Sequence, residues 1–472
     1  MARSHPTFTH GSIMRHVAVM TGTGSVGLVA VFMVDLLNLF YISLLGEAEL
    51  AAAIGYAGTV MFFVTSVTIG LMIAASATVS RALGAGRRRE ARQRATTAAV
   101  LMLATCLILT AVTLPLLHPL LRLLGATGHT AAIAERFLFM VTLSTPLLGL
   151  GMVASGILRA TGDASRSMWV TLGGGIVTAV LDPLLILVLH LGVDGAAYAS
   201  SASRLFMAIA GLYWCGKHHR LLTRPTRRMI AENFRPIASI AWPAILTNVA
   251  TPVGNAYVTS ALAPFGDEAV AAWAVIGRVI PVAFGPLFAL TGAVGPIFGQ
   301  NLGAGRYDRL RITLRDSLLL ILCYVLLVWL AMALGRGPIA SGFGLTDAGR
   351  AIVEFFCLVS AGSFMFLGAL FVSNAAFNNL GAPLFSTLFN WGRATLGTVP
   401  FAWAGGQLMG PNGVILGQSL GAVAFGLAGM VFAFRLIEKI GRSGAPAAPG
   451  RHPAPAEMPP LSSPQDAAAI DP

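Results

Sequence analysis

Charge is scarce in this sequence. Of its 472 residues only 11% are Asp, Glu, Lys or Arg, against about 25% in a soluble domain. That deficit excludes a water-soluble fold of this size. Cysteine is scarce too. Cys106, Cys215, Cys323 and Cys357 are scattered without a CxxC pair, so neither a disulfide framework nor a zinc site follows. No Walker motif is present. The two LGAGR stretches, 83–87 and 302–306, lack the Lys-Ser/Thr ending and a preceding strand, so they do not cradle phosphate. No His/acid cluster or nucleophile constellation converges in the apolar runs, which argues against an enzyme. The opening MARSHPTFTHGSIMRH runs straight into a full-length apolar stretch. It has no short apolar core with a cleavage site, so no removable signal peptide is expected. Acids are outnumbered, 19 Asp and Glu to 31 Lys and Arg, for a net charge of +12. The surplus sits in short loops between apolar runs, which reads as membrane topology rather than nucleic-acid binding.

What the chain does hold is apolar length. Fifty-six per cent is hydrophobic, in continuous runs of about 20–30 residues. Runs of that kind are helices spanning a bilayer, not the alternating ten-residue strands of a barrel. About twelve such runs satisfy the spanning criterion: 14–45, 50–81, 93–117, 133–160, 165–191, 195–216, 236–263, 268–300, 313–335, 350–379, 384–407 and 412–435. The expected fold is an all-α polytopic membrane protein. Its parts are a tail at 1–13, a first lobe at 14–216, a linker at 217–235, a second lobe at 236–436 and a disordered Pro/Ala-rich tail at 437–472.

Alternate connections are rich in Arg, such as SRALGAGRRREARQR, RATGDASR, CGKHHRLLTRPTRR and GAGRYDRLRITLR, and the others are poor in it. The positive-inside rule places the rich set, and with it both termini, in the cytoplasm. In a bacterial cell this is an inner-membrane protein.

The chain also repeats itself at an offset of about 220 residues. Leu83–Arg87 recurs as Leu302–Arg306, Gly46-Glu47 as Gly266-Asp267, Gly162 as Gly381, and Gly195 as Gly413. Two six-helix halves follow, related by an axis along the membrane normal, with a substrate site expected at their interface.

Two acids lie deep in apolar runs, Asp35 in VFMVDLLNLF and Asp182 in VTAVLDPLLILVL. A carboxylate at that depth costs roughly 2.5–3.5 kcal/mol on insertion scales and is a functional candidate by default. Each lies about nine or ten residues from the outer end of its helix, so the two can share one layer about 15 Å deep.

The chain resembles the multidrug and toxic compound extrusion (MATE) family. The likeness is carried by GQNLGAGR at 299–306, LRATGD at 158–163, LDPLLI at 181–186, GVDGAAYAS at 192–200 and Trp242-Pro243. It implies a V-shaped, two-lobe antiporter that exports organic compounds in exchange for H⁺ or Na⁺. Asp182 matches the family's fifth-helix acid, and Ser200 stands where a Thr is common. The family's first-helix Asp falls on Asn38, with Asp35 one turn earlier. Thr178 replaces the usual Asn before the fifth-helix acid, and Thr23 replaces the first-helix Pro that Pro243 retains in the second half. Acids that other members carry in the second lobe are amides here, with Asn255 at the position of Asp35 and Asn374, Asn378 and Asn379 on the tenth helix. The resemblance therefore implies coupling in the first lobe.

The expected function is efflux of organic, cationic or amphiphilic compounds. The alternative is a flippase for a lipid-linked or polysaccharide intermediate. The ion-coupling candidates are Asp35, Asp182, Asn38, Thr178, Ser200 and Arg204. Arg204 either neutralises Asp182 or competes with its ion, and Asp35 and Asp182 would hold the metal if the ion is Na⁺. The substrate candidates are Asn255, Arg278, Asn378, Trp391 and Arg393, with Trp273 and Trp403 as further aromatic surfaces. No cofactor beyond the coupling ion and no nucleic acid is expected. The partners are small molecules and the bilayer, and the chain is expected to be monomeric.

Overall fold

A computed structural model describes residues 7–43, 48–123 and 125–444, with only the backbone described for 35–43, 48–52, 54 and 444. The tail expected to be disordered lies outside the described residues beyond 444.

Among the described residues the chain is helical throughout. The first half comprises α1 (Ile13–Ser43), α2 (Ala48–Gly84), α3 (Arg88–Leu123), α4 (Gly128–Leu143), α5 (Thr145–Thr161), α6 (Ala164–Pro183) and α7 (Gly192–Tyr213). The second comprises α8 (Arg227–Leu262), α9 (Asp267–Gly303), α10 (Tyr307–Leu334), α11 (Arg336–Ser341), α12 (Asp347–Leu358), α13 (Phe364–Leu380), α14 (Leu384–Ala394) and α15 (Val399–Gly444).

Nine stretches of the described residues are long and apolar enough to span a membrane, and the pair α4–α5, bent by 49°, makes a tenth. The longest of the nine, Leu384–Ser443, holds two spans. Gly410 leaves helical geometry at φ 61°, next to Pro411. Beyond it α15 doubles back, so that Gly405 packs on Gly413 and Gly397 on Gly421 with no room for a side chain between them. Small residues of this kind let helix backbones touch where no hydrophobic force distinguishes helix from lipid. With α7, packed between α5 and α6, the count reaches the expected twelve.

Helix ends depart from expectation in three places. The helix α8 begins at Arg227, capped by the Thr226 hydroxyl, which accepts from Met229 N–H at 3.3 Å. The latter part of the expected linker, 217–235, is therefore helical. The last helix runs to Gly444 rather than 436. The N-terminal stretch is no loose tail: Phe8 and Thr9 are buried. Phe8, Ile13, Val17 and Met20 belong to the core of the second lobe, while two further clusters among the described residues lie mainly in the first lobe, one of them reaching Ile237, Ile240 and Ala241 of α8. The lobes meet along α1 against α9 and α2 against α8 and α9.

Candidate functional site

Asp182 is completely buried, at the end of α6 and immediately before Pro183. The proline lacks an N–H, and beyond it the chain relaxes into a π-helical turn, 184–188. Thr178 lies one turn back on the same face and donates to Gly174 O at 3.3 Å. Ser203 of α7 donates to the same carbonyl at 2.7 Å. Ser200, the expected hydroxyl, lies one turn earlier on α7 and is half-buried. Ser203 was not anticipated, although GGG at 173–175 signals close packing against a neighbour.

The first helix runs alongside α6, with the Val34 side chain 3.7 Å from where a Cβ on Gly175 would stand. Backbone positions 35–38 therefore continue beside the face that carries Thr178 and Asp182. The side chains of Asp35 and Asn38 lie outside the described residues.

Arg204 turns toward the first-lobe helix break. Its Nη1 donates to Val141 O at 2.6 Å and to Ser144 Oγ at 3.0 Å, where α4 bends into α5. A bend in a spanning helix frees backbone carbonyls that lipid cannot satisfy. At this bend Val141 O accepts from Arg204 as well as from the Ser144 N–H and hydroxyl. The second lobe has the same device between α12 and α13, where Trp329 Nε1 donates to Leu358 O at 2.9 Å.

The second-lobe candidates divide into two groups. Asn378 and Arg393 are buried and engaged inside the lobe. Asn378 Oδ1 accepts from Ser386 at 3.2 Å, and Arg393 Nη2 donates to Thr251 Oγ1 at 3.0 Å. Asn374 joins them through Asn390 at 3.0 Å. Trp391 donates to Leu246 O at 3.0 Å, pinning α14 to α8. Asn255 and Arg278 are exposed, Asn255 accepting from Gln418 Nε2 at 3.3 Å. Trp273 is half-buried against the second-lobe core, and Trp403 is exposed.

Arg278 is exposed on the helix α9 that packs against the first lobe. A position seven residues along a helix returns to within about 20° of the same direction. Seven residues after Arg278, a Cβ on Gly285 would meet Val29 of α1 at 3.1 Å, and seven further, one on Gly292 would meet Arg159 of α5 at 3.4 Å. Gly285 and Gly292, on the face of α9 that also carries Arg278 by helical spacing, thus meet α1 and Arg159 of the first lobe. Arg159 donates to Ser155 at 3.2 Å, Ser167 at 3.4 Å and Met72 Sδ at 2.9 Å.

The cleft is closed at the Arg-rich end by a two-fold arrangement. Arg81 of α2 donates to the carbonyls of Asn379 at 2.7 Å and Asn378 at 3.0 Å, capping α13 of the opposite lobe. Gln300 of α9 donates to Ala160 O at 2.8 Å, capping α5 of the opposite lobe. Beside them the two LGAGR stretches cross. A Cβ on Gly84 would collide with the Gln300 backbone and one on Gly303 with the Arg81 backbone. Gly86 and Gly305 then take φ of 72° and 69° in the turns that follow, a region open to glycine. The N-terminal segment lies across this seam. Phe8 N–H donates to Gln300 Oε1 at 3.0 Å, Thr7 Oγ1 to Thr161 O at 3.1 Å, and Arg309 Nη2 to Phe8 O at 3.1 Å.

Comparison with known proteins agrees with the duplication and the fold. The MatE family model matches residues 25–184 and 243–404, one copy in each half. The chain belongs to the MatE family. This MATE transporter is 30% identical over 422 residues to a protein of Shewanella oneidensis named FAD transporter, covering 88% of this chain and 93% of that one. It is 24% identical over 417 residues to the multidrug export protein MepA of Staphylococcus aureus, covering 86% and 90%. A solved variant of the Vibrio cholerae MATE transporter VcmN matches with a TM-score of 0.85 at 25% identity, covering 91% of this chain and 97% of that chain. A MATE family multidrug resistance transporter solved in an outward-facing conformation shares the fold with a TM-score of 0.87 at 20% identity, covering 93% and 99%.

This MATE chain is thus a multi-pass membrane transporter with two lobes. The reciprocal caps of Arg81 and Gln300 went unrecognised in the sequence. The signal available was the matched position of the two residues, two before Leu83 and two before Leu302.

Proposed function

We propose that this MATE transporter exports organic compounds by alternating access, in exchange for H⁺ or Na⁺ held by Asp182 and Asp35 in the first lobe. The observation that carries the reading is the complete burial of Asp182 beside the α1 backbone that bears Asp35. A carboxylate so placed binds a proton or cation as part of a transport cycle. The second lobe has amides and an arginine in its corresponding interior, so the ion is assigned to the first.

In this account the Arg-rich end is cytoplasmic, both termini lie there, and the protein sits in the inner membrane as a monomer. The Arg81 and Gln300 caps hold the cytoplasmic side shut. Loading the acid layer neutralises it and lets the lobes rearrange about the cleft, as differential binding to two states requires. Cysteines placed at Gly266 would label from outside and at Arg87 only after permeabilisation. The opposite pattern inverts the account.

A second reading of the cargo is favoured by Arg278. An exposed guanidinium on the second lobe, if it lines the substrate path, binds carboxylate or phosphate in preference to a cation. The name of the Shewanella relative points to an anionic dinucleotide, whereas MepA points to drugs. Proteoliposomes loaded with ethidium or with FAD, under separately imposed pH and Na⁺ gradients, distinguish the two. A flippase for a lipid-linked anion is supported if neither solute moves and a surface polymer is lost on deletion of the gene.

A further inference from the structure

The turn between α5 and α6 holds a cluster that the transport cycle does not use. Asp163 caps α6, its Oδ1 accepting Arg166 N–H at 3.0 Å. Its Oδ2 accepts from the Arg166 guanidinium and lies 2.9 Å from His219 Nε2. The ring of His218 meets that of His219 edge to face, with centroids 4.9 Å apart. One ligand atom from each of Asp163, His218 and His219 lies within 4.8 Å of the other two.

The two histidines come from the start of the linker between lobes, and their backbone is fixed. A π-helical turn, Trp214–His218, is closed by His219 N–H on Trp214 O at 3.0 Å and Leu221 N–H on Cys215 O at 2.9 Å. Arg88 of α3 donates to His219 O at 2.8 Å, and Thr223 N–H to Thr96 Oγ1 at 2.9 Å. The carboxylate is fixed as well, by the Arg166 N–H on Oδ1.

We propose that Asp163, His218 and His219 form a divalent transition-metal site that ties the interlobe linker to the first lobe. Two imidazoles and one carboxylate suit Zn²⁺, Co²⁺ or Ni²⁺, whereas Mg²⁺ and Ca²⁺ demand more oxygen. Three protein ligands leave at least one position for water. An ion at Oδ2 displaces the Arg166 guanidinium, whose side chain is 36% exposed and turns to solvent. Oδ1 keeps the Arg166 N–H, so the helix cap survives. His218 is exposed, which gives the ion an entry path from the Arg-rich side.

The test uses full-length protein without an affinity tag, in detergent. Calorimetry with Zn²⁺ and absorption with Co²⁺ should report one ion per chain. The H218A/H219A double variant should bind at least tenfold more weakly and lose the Co²⁺ ligand-field band. His190 stands in a closely similar turn at the other end of the first lobe, with φ 52° against 51° at Arg220. H190A should bind as the parent does. A Zn²⁺-dependent rise in Tm should be present in the parent and H190A and absent in the double variant. Equal binding by the parent and the double variant, or binding by neither, overturns the site. Neither result bears on gradient-driven export.

Discussion

Arg81 and Gln300 stand at equivalent positions of the two halves, and each donates to the last turn of a helix in the opposite lobe. The duplication that made the fold also made its seal. A helix end leaves carbonyls without partners, and in lipid an unsatisfied carbonyl costs several kcal/mol. The closed state satisfies α5 and α13 across the seam. When the lobes part there, both ends need another partner, water among them.

Removing a cap should therefore favour opening at the Arg-rich end. A hydrogen bond to a charged group contributes about 1.5–3 kcal/mol and a neutral one about 1 kcal/mol, so R81A should shift the equilibrium further than Q300A. Spin labels on either side of the seam, followed by pulsed electron resonance, should show a longer distance in both. Unchanged distances in R81A would remove these caps from the gating account.

The glycine crossing makes a sharper demand. A methyl group at Gly84 or Gly303 meets backbone, which cannot swing aside as a side chain can. G84A and G303A should each destabilise the closed state by about 1–3 kcal/mol, the usual cost of overpacking. A Cβ on Gly277 meets nothing within 4 Å, so G277A should leave both stability and transport unchanged. Thermal unfolding in detergent, read beside the distance measurement, separates the three.

Arg204 tests whether a half-buried charge here is structural. Its replacement by Met removes the guanidinium hydrogen bonds to Val141 O and Ser144 Oγ at the α4 bend, at a cost of about 1–3 kcal/mol. R204M should lower Tm by several degrees while substrate binding keeps its pH or Na⁺ dependence. A shift in that dependence would mean that Arg204 acts on Asp182 after all.

Arg278 offers a test of the cargo. R278Q should reduce uptake of FAD into inverted vesicles at least tenfold, the effect of losing about 1.4 kcal/mol, while ethidium transport is unchanged or improved. If R278Q impairs ethidium alone, the cationic assignment holds and the anionic one fails.

Much of the fold was legible in the sequence because bilayer thickness sets helix length and insertion sets loop charge. The constant offset from LGAGR to LGAGR exposed the duplication, and Asp182 stood out because a lone acid in an apolar run has no cheap explanation. What was not legible depends on contacts between distant segments. Nothing in the neighbourhood of Arg81 says that its partner is the end of a helix nearly 300 residues away. The bend at Ser144 was signalled only by Pro146, and the fold-back in α15 only by Gly410-Pro411. Phe8 falls within the tail expected at 1–13. Its burial follows from Gln300, Asn301 and Arg309, which offer hydrogen-bonding partners to the backbone around it.

The central claim is that ion coupling resides in the acids of the first lobe. The direct measurement is substrate efflux from proteoliposomes carrying D35N, D182N or both, under imposed pH and Na⁺ gradients. N255A serves as the second-lobe control. Asp-to-Asn keeps the side-chain size and removes its titration. The account predicts that each Asn variant inserts and binds substrate at equilibrium without pH or Na⁺ dependence, and exports nothing against a gradient, while N255A stays coupled. Gradient-driven efflux that persists in the D35N/D182N double variant would contradict it.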